Sequence, residues 1–364
     1  MKYDLSKIID LKTVNINELT EAADQDDPSA LFMGYYIAEG EFGLIGHHLA
    51  DSELLEWVKR GYQLRDTLCT ARYAISLFNG RGIPRNIPEA KKIFMRVIED
   101  MRGLAQSGSP YAQTLLALAL TNGIPGKPRD AEARPLLEAA ASQSEPVAQY
   151  YLGMIHERGF GVKANMVEAV RWYQLAAEQG HLYSQLQLAD LYSRGQGVER
   201  DLGFAIQYYT KAARFKNAIA CGRLGDLYLD PERSGGADVQ RAVKWYLRGA
   251  QGDDNGSKLA LAGLFIQGVK DEAGDVLVVQ DMAAAFRYYA EVATDPVYAA
   301  KDPKRHAFAD NRKKTMLIGT TRQTDGEGKK WIVFRDGTMA LEIKPTGPGF
   351  KAKPLRNSYG GPRR

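Results

Sequence analysis

Between Ala148 and Tyr183 the chain reads AQYYLGMIHERGFGVKANMVEAVRWYQLAAEQGHLY. Apolar residues recur there at helical spacing on both sides of a glycine-rich turn, which predicts two amphipathic helices joined tightly. The pattern begins again at Ser184: Leu152 matches Leu188 and Leu224, and Gly153 matches Ala189 and Gly225, each step being 36 residues. A fixed period of this size predicts a helical solenoid. The glycine pair Gly159/Gly161 recurs as Gly195/Gly197, and the aromatic pair Trp172-Tyr173 recurs as Tyr208-Tyr209, then Trp245-Tyr246 one residue late. One unit is therefore a helix, a glycine turn and a second helix.

The same frame extends in both directions. Small residues mark one first-helix position in seven units, namely Gly34, Ala74, Ala117, Gly153, Ala189, Gly225 and Ala262. A larger side chain there is expected to overpack a close helix contact. Asn86, Asn165, Asp201, Asp238 and Asp281 precede the second helices and predict N-caps, with Asn86 and Glu89 spaced for a capping box. The aromatic pairs are read as core, with Trp172, Tyr208 and Trp245 filling the space between units. Residues 16–23 (INELTEAA) resemble a second helix without its first, a half unit suited to capping the array. The second unit's second helix should run on through Asp100 to Gln106, because the next small position comes 43 residues later. Pro135 predicts a kink or a late helix start. A seven-residue insertion between Gly268 and Asp281 is either a binding loop or a tolerated surface insertion. After Asp295 the helical period fades. From Thr315 alternating apolar residues with Asp325-Gly326 and Asp336-Gly337 predict a small meander of up to three strands, followed by a Gly/Pro/basic tail.

The motif L-G-x-x-Y-x-x-G-x-G-V, then Asp or Asn, then A-x-x-W-Y-x-x-A-A, resembles the Sel1-like repeat family, a branch of the tetratricopeptide-like solenoids. The resemblance covers Ala148 to Ala250 and is traceable from about Pro28 to Thr294. It implies an all-α, right-handed α/α superhelical solenoid of about seven helix-turn-helix repeats, to which the alternating C-terminal residues add a small β-rich appendage. The expected organisation is a capping helix (1–27), the solenoid (28–295), a β-hairpin or meander appendage (296–345) and a basic, disordered tail (346–364). It further implies a scaffold or adaptor that binds other proteins and has no catalytic residues of the family's own. Bacterial members often serve as adaptors or immunity proteins, so neutralising a toxic effector is one alternative.

Composition fits an ordinary soluble chain: 45% of the 364 residues are hydrophobic and 25% charged. No apolar stretch has the length of a membrane span or the pattern of a signal peptide. Two cysteines, Cys69 and Cys221, fall about four units apart and predict no bridge, in keeping with a reducing, cytoplasmic setting. The net charge of +4 hides an asymmetry: residues 301–364 carry 16 Lys/Arg against 6 Asp/Glu, and residues 1–300 carry 32 against 38.

The candidate chemistry is thin. His47-His48 with Asp51 and Glu53 invites a metal reading, but adjacent histidines diverge and the usual helical chelate is spaced i, i+4. The Gly-x-Gly turns join helix to helix, whereas a dinucleotide fingerprint needs a preceding strand and a third glycine. No catalytic, cofactor or metal set is expected. What remains is the first-helix face that lines the concave side of related superhelices. By that analogy it presents Tyr150, Met154, Glu157 and Arg158, then Leu186, Asp190, Ser193 and Arg194, then Asp226, Leu229 and Asp230. Earlier units add Tyr35, Ile75, Phe78, Tyr111 and Leu118. The expected partner is a protein segment with apolar anchors and basic residues. Nucleic-acid or anionic-surface binding through Lys313-Lys314, Lys329-Lys330 and Arg363-Arg364, beside Trp331 and Phe334, is the rival reading; docking of the basic C-terminal segment on acidic solenoid surface is another.

Overall fold

Every first helix in the chain begins behind a side chain that accepts a backbone N–H. The computed structural model describes residues 14–39, 51–214, 217–233, 235–317, 320–324, 330–334 and 339–341. After α1 (Ile16–Asp24) come the pairs α2/α3 (Pro28–Glu39, Asp51–Gln63), α4/α5 (Thr67–Asn79, Ile87–Gln106), α6/α7 (Pro110–Thr121, Asp130–Ser142), α8/α9 (Pro146–Arg158, Met166–Glu178) and α10/α11 (Leu182–Arg194, Leu202–Arg214). These form one compact unit, residues 1–215. The second unit, residues 216–364, holds α12/α13 (Ala218–Leu229, Val239–Gln251) and α14/α15 (Asn255–Gln267, Met282–Thr294). It also contains the strands β1 (Val269–Lys270) and β2 (Val276–Val278), the helices α16 (Pro296–Lys301) and α17 (Pro303–Met316), and the strands β3 (Thr321–Thr324), β4 (Lys330–Val333) and β5 (Met339–Leu341). Seven helix-turn-helix pairs with a small strand-bearing C-terminal part match the expected all-α solenoid class.

The first-helix caps form a series that runs through both units. Asp27, Asp66, Ser109, Glu145, His181, Asn217 and Asp254 each accept the N–H of the residue three places on. Such a cap stabilises its helix by about 1 kcal/mol. The second-helix caps stand where expected, with Asn86, Asn165, Asp201, Asp238 and Asp281 accepting in the same way. The reciprocal half of the Asn86–Glu89 capping box is not made. The Asn86 N–H donates instead to the Leu77 carbonyl at 2.9 Å, closing the turn, and the Glu89 carboxylate faces Lys92 at 3.7 Å. That turn closure is part of the repeat, since the Asn165 N–H donates to His156 and the Asp201 N–H to Tyr192. Gly159 and Gly195 end their helices at φ 73° and 66°, a left-handed conformation that strains any side chain.

Each pair closes on a small residue. A Cβ added at Gly153 would lie 2.5 Å from the Tyr173 ring, one at Gly225 2.4 Å from Tyr246, and one at Gly34 2.4 Å from Trp57. The wholly buried aromatics are thus Tyr173, Tyr209 and Tyr246, while Trp172, Tyr208 and Trp245 are only half-buried. The expectation placed the core aromatic one residue early, because the two members of each pair are alike in hydrophobicity and only the helix phase separates them. Neighbouring pairs in the first unit are joined by a ladder of glutamines. Gln113, Gln149 and Gln185 donate to the carbonyls of Ala105, Ala141 and Ala177, and Gln143 and Gln179 donate to Gln113 and Gln149 at 3.0 and 2.8 Å. In the second unit Lys258 takes that step of the period and pairs with Asp253 at 3.1 Å and Glu291 at 3.2 Å.

The extended helix through Gln106 is present as α5. α7 begins at Asp130 and runs through Pro135, so the helix does not start late. The insertion after Gly268 forms the antiparallel hairpin β1–β2, with Val278 buried. Helical structure does not fade after Asp295. Asp295 and Asp302, each followed by proline, cap α16 and α17, and α17 packs on α15. Only Ala309 and Met316 of α17 are buried, too few to leave a periodic signature in the sequence. β3, β4 and β5 form the expected three-stranded antiparallel meander, and Phe334 meets Phe286 of α15 at 5.5 Å. Its two Asp-Gly turns and the tail from Thr346 lie outside the described residues.

Gly153→Ala and Gly225→Ala should each destabilise the protein by about 1–3 kcal/mol by driving a methyl into a buried tyrosine ring. Gly103→Ala in α5, where an added methyl meets nothing within 4 Å, should stabilise it by about 0.5–1 kcal/mol. Thermal midpoints of the three variants test this packing, and shifts of the same sign would contradict it.

Candidate functional site

Side chains of α2, α4, α6, α8 and α10 line an open cleft in the first unit. Its wall is rich in aromatic side chains. Phe32, Tyr35 and Tyr36 come from α2, Tyr111 from α6, Tyr150 and Tyr151 from α8, and Tyr183 from α10. The aromatic rings touch one another: Tyr36 stands edge-on to Tyr111 at 5.1 Å, and Tyr150 lies 5.4 Å from Tyr151 and 6.2 Å from Tyr183. Ile75, Leu115 and Leu118 fill the apolar floor, and Asn79, Arg72, Arg81, Thr114, Asn122 and His181 bring the polar groups.

Two titratable groups at the first-helix cap position are buried, His181 in the wall and Glu145 behind it. Glu145 bridges three helices: its carboxylate accepts from the Tyr36 hydroxyl of α2, from the Thr114 hydroxyl of α6 at 2.7 Å, and from the Val147 and Ala148 amides of α8. Burial pushes its carboxyl up to about 8 against the pull of those amides. His181 caps α10 through Nδ1, which accepts the Ser184 N–H at 3.3 Å, and burial holds its imidazole down at about 3, so the ring is neutral at physiological pH. Burial also raises Tyr150 to about 12, and raises Tyr151 against the opposing charges of Arg72 and Arg81. The Arg72 guanidinium lies 5.1 Å from the Tyr35 ring centroid and donates to the Tyr35 hydroxyl at 3.1 Å.

Of the residues proposed from sequence, Tyr111 and Tyr150 line this cleft, together with Tyr35, Ile75 and Leu118. The others do not line it. Met154 and Tyr150 pack against the core around Tyr173, and Leu186 is half-buried on α10. Three of the acids are tied to the second helix of their own pair. The Tyr173 hydroxyl donates to Glu157 at 2.6 Å, Tyr209 to Asp190 at 2.6 Å and Tyr246 to Asp226 at 2.7 Å. Burial first and the carboxylate second raise the Tyr173 and Tyr246 hydroxyls. Arg158 is exposed beside the Phe160 ring, Arg194 lies 3.6 Å from Asp190, and Asp230 accepts the Glu232 N–H at 2.9 Å beyond the end of α12. Asp226 and Asp230 belong to the second unit.

Sequence reasoning missed Arg72, Arg81, Glu145, His181, Tyr151 and Tyr183. Glu145 and His181 were open to detection, since stepping back 36 residues from Asn217 lands on both, and each departs from the Asp, Ser or Asn found elsewhere in the cap series. Among the described residues no group of three or more His, Cys, Asp or Glu side chains is placed to hold a metal ion; His47 and His48 lie outside them. Burial raises the thiols of Cys69 and Cys221, the opposite of what activates a cysteine nucleophile. Among the described residues no helix is long and apolar enough to cross a membrane. Of the residues of the basic tail reading, Lys313 and Lys314 both pair with Asp310, at 3.0 and 2.7 Å, and Phe334 is buried. Lys329, Arg363 and Arg364, and the Trp331 side chain, lie outside the described residues.

The model of the Sel1 repeat matches residues 68–94, 110–144, 146–181, 182–214 and 218–254. Among solved structures the chain is similar to c5321, a protective antigen of uropathogenic Escherichia coli strains displaying an SLR fold. The TM-score is 0.52 at 22% identity, over 83% of this chain and 59% of that one. It is also similar to a Sel1 repeat protein from Oxalobacter formigenes, with a TM-score of 0.50 at 24% identity over 76% of this chain and 98% of that one. The chain thus spans somewhat more than half the length of the first and nearly all of the second, and both likenesses are of fold. No curated protein matches the chain.

The two buried cap residues should give opposite pH signatures. Glu145, raised from 4.5 to about 8, contributes stability that is complete below about 4.5 and is lost as pH rises to about 8. His181, lowered from 6.5 to about 3, contributes stability that is complete above about 6.5 and is lost as pH falls to about 3. Relative to Glu145→Gln, the native protein should therefore lose thermal stability toward alkaline pH, and relative to His181→Asn toward acid. Parallel difference profiles would contradict the burial described.

Proposed function

Because this chain is a Sel1-repeat protein, we propose that it is a non-enzymatic interaction scaffold that holds a segment of a partner protein in the cleft of its first unit. The repeat fold is suited to protein–protein interaction, and the observation that carries the specific reading is the cleft wall. Four first helices, α2, α6, α8 and α10, place seven aromatic side chains on it, a surface of rigid rings, six of them with polar tips, of the kind enriched in protein interfaces. Its titratable members support binding and not chemistry. His181 is neutral and fixed by the Ser184 amide, and Glu145 is 3% exposed and does not line the cleft, so neither is placed to move a proton at a substrate. The two free, buried thiols support a cytoplasmic setting.

Selection of a displayed random-peptide library on the intact protein tests this. Peptides recovered should lose about tenfold or more in affinity on Tyr150→Ala or Tyr183→Ala, the scale of a contact at the centre of an interface. Met95→Ala, at an exposed position on α5, should leave them unchanged. Recovered peptides that tolerate both tyrosine variants would refute the cleft as the binding site.

A further inference from the structure

In the second unit the outer face of α17 is left uncovered when the repeats have packed. Ala309 and Met316 are buried and His306 and Lys313 half-buried, which marks the inner side of the helix. Lys304, Phe308 and Arg312, each four residues from the next, run along the exposed side. Lys313 and Lys314 are engaged by Asp310, whose carboxyl they hold below the usual range, and Arg305 stands 3.6 Å from Asp302. Lys304 and Arg312 pair with no carboxylate among the described residues. Phe308 is 46% exposed, with the Arg312 guanidinium 5.3 Å from its centroid and the buried Tyr289 ring in a T-shaped contact at 6.1 Å. The ring is supported by the protein and wet on its outer side. The unit that carries it is basic, since residues 216–364 hold 25 Lys/Arg against 18 Asp/Glu.

We propose that the outer face of α17 is a second docking surface, which takes an acidic segment of a second partner protein. An apolar side chain of that segment lies against Phe308, and carboxylates on either side of it meet Lys304 and Arg312. The two cations stand eight residues apart, about 12 Å along the helix, a distance that an extended segment spans in about four residues. An aspartate or glutamate two places before and two places after an apolar residue therefore matches both. Ion pairs so exposed contribute partner choice more than affinity, and the ring supplies the apolar area. A nucleic acid is the poorer fit, because the cations form one short row and Phe308 already takes a guanidinium where a base would stack. A membrane surface is poorer too. Phe308 is the only exposed large apolar side chain of α17, whereas an interfacial helix needs a continuous apolar face. With the cleft, this face gives the chain the two contacts by which a scaffold holds two proteins; the docking itself needs nothing of the cleft.

So small a patch holds its ligand weakly, in the range that a titration reads and the washes of a selection lose. The probe is a short fluorescein-labelled peptide with glutamates two places before and two places after a central leucine, titrated with the intact protein at low salt and followed by anisotropy. It should bind, and about three- to fivefold more weakly to Arg312→Ala, Lys304→Ala and Phe308→Ala. Lys314→Ala removes the same charge from the same helix and should leave the affinity unchanged, because Lys314 already faces Asp310. Replacing the leucine of the peptide by alanine should cost as much as Phe308→Ala, and replacing its glutamates by lysines should abolish binding. All four positions are exposed, and unchanged thermal midpoints establish that the variants fold. Equal losses for Arg312→Ala and Lys314→Ala would overturn the proposal by reducing it to bulk charge. Absence of binding, indifference to the leucine, or an oligothymidylate of equal charge bound as tightly as the peptide would overturn it as well.

Discussion

The repeat depends on one contact, the seat of a second-helix tyrosine against a small residue of the first helix. Tyr173 lies so close to Gly153, and Tyr246 to Gly225, that a single added carbon would fall inside the ring's van der Waals envelope. Such closeness fixes the distance and phase of the two helices, because packed interiors tolerate little change of volume. The hydroxyl at the far end of each ring must then find a partner, and a carboxylate on the first helix supplies it: Glu157 for Tyr173, Asp190 for Tyr209, Asp226 for Tyr246. The acid moves along the helix from pair to pair, from four residues after the small position to one, and the bond is kept. The geometry of the pair therefore outranks the identity of the position that completes it.

With each pair so fixed, what varies is the surface that the first helices present. Side chains that cap these helices form a period through the chain, and the cap position is where structure passes into chemistry. At most steps it holds a small polar residue whose work ends with the helix. At two successive steps it holds Glu145 and His181, larger groups that reach past their own helix and are buried at the wall of the aromatic cleft. Glu145 ties α8 to α2 and α6 through Tyr36 and Thr114, so the cleft is braced by the same residue that starts one of its helices. A braced aromatic wall loses little freedom when a ligand arrives, which favours affinity at a given contact area.

Much of the fold was legible because the repeat states its own phase. Seven small positions, the turn glycines and the second-helix caps were each readable from spacing, and all correspond to physical requirements of the backbone or of close packing. The aromatic pairs show the limit: two adjacent rings satisfy the same hydrophobic pattern, and only the pitch of the folded helix decides that Tyr173 and not Trp172 is enclosed. α16 and α17 were invisible for another reason. They are started by Asp-Pro steps at Asp295 and Asp302, but α17 buries two side chains and leaves no apolar stripe to read. The site was the least legible part. Tyr111 and Tyr150 reached the cleft, yet Arg72, Tyr183 and Glu145 come together with them from four helices spanning more than a hundred residues, and nothing in the local pattern announces that meeting.

The central claim is that this aromatic cleft, and not the outer surface of the second helices, receives the partner. Hydrogen exchange of the intact protein with and without a saturating selected peptide addresses it directly. The account predicts slowed exchange at the cleft-lining turns of α2, α4, α6, α8 and α10, strongest around residues 79–81 and 181–183, with α5, α7 and α9 unchanged. Slowed exchange confined to α5, α7 and α9, with the five first helices unaffected, would contradict it.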